Sequence, residues 1–263
     1  MILAMDTGNT QTVFGCVRDG AVAPILRIAT DRAETPFGYA AKMKQVFELC
    51  GVESSSFEGA IIASVVPPVT DVLVGAVKLL TGLDALVVGA GLKTGLHIAI
   101  DDPGTMAADL VATAVAAKEE YPLPCVVVDM GTATTLTVVD GSGRYIGGAI
   151  LPGVDISMSA LNEETSLLPR IEIAPPTRAV ATNTVDSMRA GIVYGTAGSL
   201  DGLLDRFAQQ LGREPASIVA TGGAAALICR YCRHAIRYDE TLLLKGLGLI
   251  WDRNRPKTPD KGR

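Results

Sequence analysis

Residues 2–20 read ILAMDTGNTQTVFGCVRDG, and residues 125–143 read CVVVDMGTATTLTVVDGSG. With Asp6 placed on Asp129, Gly8 falls on Gly131, Thr12 on Thr135, and Asp19-Gly20 on Ser142-Gly143. Each copy is an apolar run of strand length, an acid, a glycine turn and a threonine-rich second strand. One supersecondary unit stated twice predicts two lobes built alike, meeting at a cleft. The first lobe is expected over residues 1–117 and the second over 118–263, with KEEYPLP (118–124) as the surface connection between them.

Outside the repeat, alternating apolar runs and helical stretches give an α/β chain. VAPILRI (22–28), GAIIASVV (59–66), ALVVGA (85–90), YIGGAILPG (145–153) and SIVATGG (217–223) have strand character. Helices are expected over 38–50, 69–80, the alanine-rich run after Pro103, 186–211, AAALICRYCR (224–233) and LLLKGLGLIWDRN (242–254). RPKTPDKGR (255–263) reads as a frayed polar tail.

Composition narrows the function. The 263 residues are 48% hydrophobic and 19% charged, which fits a packed α/β core and excludes a disordered chain. A net charge of −5 gives no electrostatic reason to bind nucleic acid. The apolar runs are too short to span a bilayer, and the N-terminus shows no cleavable leader, so no membrane partner and a cytoplasmic location are expected. Five cysteines make no disulfide framework. CRYCRH (229–234) lacks a second ligand pair, so a helix carrying ordinary cysteines is expected there rather than zinc. His97 and His234 show no acid or nucleophile partner and read as structural or surface residues.

The chemistry lies in the turns. Neither DTGNT (6–10) nor DMGTATT (129–135) fits the P-loop or the dinucleotide fingerprint. Glycine lets a ligand come close to the backbone, and exposed N–H groups cradle phosphate oxygens. A carboxylate aimed at phosphate needs a cation between them, and magnesium takes oxygen ligands of this kind. Two such acids suggest metal-assisted phosphoryl transfer; the alternative is that Asp6 and Asp129 only close their turns. In DDPGTMAADLVATAVAA (101–117), Asp109 stands in a small, apolar run. It is either a general base toward a hydroxyl or a first-turn residue favoured by the helix dipole. Gly222 and Gly223 either pass under a nucleotide or form a simple strand-to-helix turn.

Together, DTGNT, SVVPP, DP followed by AAD, DMGTATT, GGAILPG, LPRIE, NTVDSMRAG, TGG and the late GL helix resemble the type III pantothenate kinases over nearly the whole chain. These belong to the acetate kinase, sugar kinase, Hsp70 and actin superfamily. The resemblance implies an α/β fold of duplicated ribonuclease-H-like lobes with a nucleotide cleft between them. It also implies transfer of the γ-phosphate of ATP to the hydroxyl of pantothenate, the first step of coenzyme A synthesis, by a homodimer using Mg²⁺ and K⁺ or NH₄⁺. Carried over, Asp6 faces the phosphates through the metal, with Gly8, Asn9 and Thr10 in the phosphate loop. Asp109 is the catalytic base, Asp129 the monovalent-cation ligand, and Gly131 and Thr132 a phosphate-contacting turn. Gly222 and Gly223 lie near the nucleotide, Ala107 and Ala108 at the acceptor, and Thr184 reaches the pantothenate pocket across the dimer interface. The chain departs from the family at Leu110, usually arginine, at Ile100, usually tyrosine, at Asp102 and at Thr113. Leucine cannot make a bidentate charged contact. A kinase for a less anionic alcohol and a non-catalytic nucleotide-binding accessory protein are the competing expectations.

Overall fold

The computed structural model describes residues 1–255; the end of the polar tail, 256–263, lies outside the described residues. The chain divides into two compact units. The first holds Met1–His97, Asp101–Glu119 and the segment from Thr241, and the second holds Ile98–Ile100 and Glu120–Glu240.

In the first unit the sheet order is β3-β2-β1-β4-β5. The strands are β1 (Ile2–Thr7), β2 (Gln11–Arg18), β3 (Ala21–Ala29), β4 (Gly59–Ser64) and β5 (Ala85–Val87). β1, β2 and β3 form an antiparallel meander, while β4 and β5 run parallel to β1. Helix α1 (Pro36–Leu49) starts where Thr35 caps it, accepting from Gly38 N at 3.1 Å, with proline at the first position. It buries Tyr39, Met43 and Phe47, spaced along one helical face. Helix α2 (Pro67–Thr81) ends at Gly82, whose φ of 73° suits glycine. Phe14 and Phe47 meet edge to face, 5.6 Å between centroids, at the centre of this core. Helix α3 (Ala108–Glu120) is buried without a break from Val111 to Ala117, so small residues rather than an amphipathic pattern let it pack.

The second unit carries a six-stranded sheet of order β11-β10-β7-β8-β9-β6. Its strands are β6 (His97–Ile98), β7 (Cys125–Met130), β8 (Ala133–Val139), β9 (Arg144–Pro152), β10 (Ser217–Thr221) and β11 (Arg237–Tyr238). β6 begins at His97 on the last residue of the first unit. β7, β8 and β9 repeat the antiparallel meander, with β10 parallel to β7 and β11 parallel to β10. Helices α4 (Val154–Glu163) and α5 (Thr184–Leu211) pack on this sheet through Met158, Val193, Leu200 and Leu204. α5 is capped by Asn183, which accepts from Asp186 N at 2.9 Å, and ends at Gly212 with φ 67°. The expected helix over 224–233 is only α6 (Ala225–Ile228) plus one 3-10 turn.

The expected division at residue 117 differs from the two units at two elements: β6, inside the expected first lobe, joins the sheet of the second unit, and α7 moves the other way. Helix α7 (Leu242–Asn254) belongs to the first unit. The first unit has small residues that receive it. A Cβ on Gly59 would meet the Trp251 indole at 2.4 Å, and one on Gly15 would meet Leu244 at 2.9 Å. Gly246 in turn lies so close to α3 that a Cβ would sit 1.9 Å from the Ala112 carbonyl.

Strand pairing also refines the repeat. In the first unit Thr7 pairs with Thr12, and in the second Met130 pairs with Thr134. The second acid-glycine turn is therefore one residue shorter, and Thr12 corresponds to Thr134 rather than to Thr135. Both meanders carry an irregularity at the matching place, between Gly15 and Val17 and between Thr137 and Val139. The next hairpin restores the missing residue: Val17 pairs with Val22, but Val139 pairs with Tyr145. Asp140 builds that longer turn, accepting from Ser142 N at 2.8 Å, Arg144 N at 2.9 Å and Arg144 Nε at 2.8 Å.

Candidate active site

Asp6 is the penultimate residue of β1, between Val13 on β2 and Ala63 on β4. It is half-buried and stands where the parallel strands β1 and β4 end, the edge at which open α/β sheets bind ligands. The turn beyond it is tied on both sides. Gly8 N donates to Gln11 O at 3.0 Å, and the Thr30 hydroxyl donates to Gly8 O at 2.8 Å. Thr30 N donates to Thr10 O at 3.0 Å, and the Thr12 and Thr30 hydroxyls lie 3.0 Å apart. Asn9 and Thr10 are exposed at the tip, with Arg32 Nη2 donating to Asn9 Oδ1 at 2.8 Å. Thr30 and Arg32 were not legible as site residues. Their partners lie 18 to 23 positions away, and TDR (30–32) looks like any polar strand exit.

The second unit gathers more of the expected residues. Asp129 stands in register with Thr135 on β8 and Thr221 on β10. The turn that follows β10 therefore runs beside the turn that follows β7. Gly222 has φ 93°, and a Cβ there would lie 2.5 Å from Met130 O. Gly153, the residue before α4, donates its N–H to Thr132 O at 3.2 Å, and a Cβ on it would lie 2.2 Å from the same oxygen. Gly131 N donates to Ala133 O at 3.1 Å. Three glycine turns, at 131, 153 and 222, thus meet around Met130–Thr132, and the N-terminus of α4 adds its dipole there. A strand and glycine turn over 145–153 was expected; α4 and the closeness of Gly153 to Thr132 were not, because nothing in the local sequence separates a short helix from the preceding turn. A Cβ on Gly223 meets nothing within 4 Å.

Asp109 lies in the first turn of α3, directly after Ala108, and Ala107 O accepts from Val111 N at 3.1 Å. Burial pushes the Asp109 carboxyl above its ordinary range, opposed by the hydrogen bond from Leu110 N at 2.8 Å. A carboxylate made more basic by burial suits proton abstraction from a hydroxyl. Asp102 caps the 3-10 turn at Pro103, accepting from Gly104 N at 3.1 Å. Thr113 donates its hydroxyl to Asp109 O at 3.1 Å and is fully buried.

No group of three His, Cys, Asp or Glu side chains able to hold a metal occurs among the described residues. One carboxylate beside each glycine turn fits a magnesium ion carried in by phosphates better than an all-protein cage. In CRYCRH, burial pushes the Cys229 and Cys232 thiols up to about 11 and about 12. His234 does have an acid partner: its Nε2 lies 2.7 Å from Asp205 Oδ1. Asp201, almost fully buried on α5, accepts from Arg233 N and His234 N, so the whole stretch is a staple onto α5. Thr184, the first residue of α5, lines an open, mainly apolar groove of about 510 Å³ with Leu161, Leu168, Met188 and Ile192.

The profile of the type III pantothenate kinase family matches residues 2–206. A type III pantothenate kinase from Halalkalibacterium halodurans is 42% identical over 254 residues, covering 97% of this chain and all of that one. A Campylobacter jejuni protein described as a Baf family transcriptional activator superposes with TM-score 0.59 at 17% identity, over 96% of this chain and 98% of that one. The activator of 2-hydroxyisocaproyl-CoA dehydratase from Clostridium difficile, with bound ADPNP, gives TM-score 0.56 at 12% identity, over 96% and 95%. These distant structures share the fold, two α/β units of one meander plan; the full-length relatives and the profile show that the chain belongs to the type III pantothenate kinase family.

Proposed function

We propose that this chain transfers the γ-phosphate of ATP to the hydroxyl of pantothenate, the first step of coenzyme A synthesis, in the cytoplasm. The observation that carries the reading is the acid-glycine turn built twice, each time at the carboxyl end of parallel strands. In the first unit, Gly8, Asn9 and Thr10 present the turn to the phosphate chain, and Asp6 offers its carboxylate to the cation that the chain carries. In the second, Gly131 and Thr132 face phosphate oxygens, Gly222 and Gly223 face the nucleotide, and Asp129 offers an oxygen ligand to K⁺ or NH₄⁺. Bound magnesium supplies neutralisation of the charge that develops on the transferred group.

Ala107 and Ala108 leave room for the acceptor beside Asp109. Its carboxylate takes the hydroxyl proton as the acceptor oxygen bonds to the γ-phosphorus and the bond to the ADP oxygen breaks. The exposed side of α5, with Thr184, Ser187, Gly191, Gly195 and Gly198, is the surface on which a second copy packs. Thr184 then serves the acceptor pocket of that copy. Leu110, an apolar neighbour of Asp109, favours a second reading in which the acceptor is a less anionic alcohol.

ADP release from ATP with Mg²⁺ and K⁺ tests both readings, with pantothenate and a panel of small alcohols as acceptors. Turnover on pantothenate should fall by about 10²–10⁴ in Asp109→Asn. Saturating pantothenate that yields no more ADP than this variant refutes the assignment, and turnover on another alcohol selects the second reading.

A further inference from the structure

Arg32, in the segment after β3, reaches the tip of the first acid-glycine turn and has no charged partner among the described residues. Among the described residues its guanidinium meets only the neutral Oδ1 of Asn9, at 2.8 Å. An exposed arginine usually finds a carboxylate or moves freely through many rotamers. Here the backbone on either side of both residues is pinned. Tyr39, fully buried on α1, accepts from Asp31 N at 2.7 Å and donates to Asp31 O at 3.0 Å. Asp31 Oδ1 in turn accepts from Ala33 N at 2.9 Å. On the other side, Gly8 and Thr10, the neighbours of Asn9, are both bonded to Thr30. The hydrogen bonds from Tyr39 and Thr30 thus bring the Arg32 guanidinium to the turn and leave most of its donors unused.

We infer that Arg32 is a phosphate-binding residue that meets the terminal phosphate of the nucleoside triphosphate held by the first turn. This rests on the kinase reading above and extends it to a residue outside the acid-glycine repeat. The turn places a carboxylate, Asp6, beside an anionic ligand, so a cation held against that turn through Asn9 offsets the repulsion. A guanidinium matches a phosphate with two parallel donors, and its charge counts most on the group being transferred. Asn9 is the positioning residue that holds the fork in place before the phosphate arrives.

The test compares binding of ADP and of a non-hydrolysable ATP analogue, each with Mg²⁺, to the full chain and to Arg32→Gln. The analogue should bind about 10- to 100-fold more weakly to the variant, and ADP within about twofold of the parent. Arg32→Lys should recover part of the loss, because the charge returns without the fork. Unchanged melting temperatures exclude a folding defect. Equal losses for both nucleotides, or no loss for either, overturn the inference. Pantothenate turnover is scored separately. A parent protein that fails on pantothenate while Arg32→Gln still separates the analogue from ADP overturns the acceptor alone. Full turnover by Arg32→Gln with unshifted analogue affinity overturns Arg32 alone.

Discussion

Gly222 and Gly223 are adjacent, and the structure makes opposite demands on them. Replacing Gly222 with alanine forces an L-residue to φ 93°, a strain of about 1–2 kcal/mol. The new methyl group would also lie 2.5 Å from Met130 O and 2.6 Å from Met130 C, both backbone atoms. No rotamer relieves such a contact, so the turn after β7 must shift, which costs about 1–3 kcal/mol more. Adding the two gives a loss of about 2–5 kcal/mol, or roughly 5–15 °C in melting temperature for a chain of this size. Gly223→Ala is the control, since its methyl group meets nothing within 4 Å. Calorimetry on the three proteins measures both effects, and nucleotide titration then asks whether the displaced turn still binds. A Gly222→Ala protein that melts with the parent, or a Gly223→Ala protein that falls as far, would refute the account of glycine packing around Met130.

Asp109→Asn should melt higher than the parent near neutral pH even though its turnover is lost. Burial raises the folded-state carboxyl above 3.8. As pH rises past that value the unfolded chain ionises first, so native stability declines until pH passes the folded value and then stays reduced. Melting curves between pH 3 and 8 should therefore converge at the acid end; a variant less stable than the parent at pH 7 would contradict this. Asp201→Ala leaves the backbone N–H groups of Arg233 and His234 without their acceptor, a cost of about 2–4 kcal/mol readable by urea unfolding. Gly195→Arg should leave the fold intact, because a Cβ there meets nothing within 4 Å and arginine favours helix by about 1 kcal/mol over glycine. It should also split the proposed dimer, so light scattering would read the 27.4 kDa of one chain. A Gly195→Arg protein of twice that mass would move the dimer off α5.

The longer strands and long helices were legible because most rest on a local pattern: apolar runs between turns, proline at the starts of α1 and α2, glycine at the ends of α2 and α5; the two-residue strands β6 and β11 carry no such pattern. What escaped depends on partners distant in sequence. α7 is tied to the first unit by close packing at Gly15 and Gly59, at its own Gly246 and Gly248, and by Asn254 and Arg253 bonding Lys93 and Glu119. Asp205 lies 29 positions from His234, and Asn9 lies 23 from Arg32, so neither pairing leaves a trace in any short window. The repeat itself was visible through its acids and glycines, while its register was not. An ungapped alignment puts Thr12 on Thr135, although the ladder equates Thr12 with Thr134. One residue missing from the turn after β7 is regained at the Asp140 hairpin, so the third strands return to phase and Ile28 and Leu151 face matching partners. A one-residue slip that persisted would have turned every later side chain to the wrong face of the sheet. The two turns have diverged in length while Asp6 and Asp129 still occupy the same place on their strands. That is the pattern expected if each turn, as proposed, meets a different part of the nucleotide from the same position on its sheet.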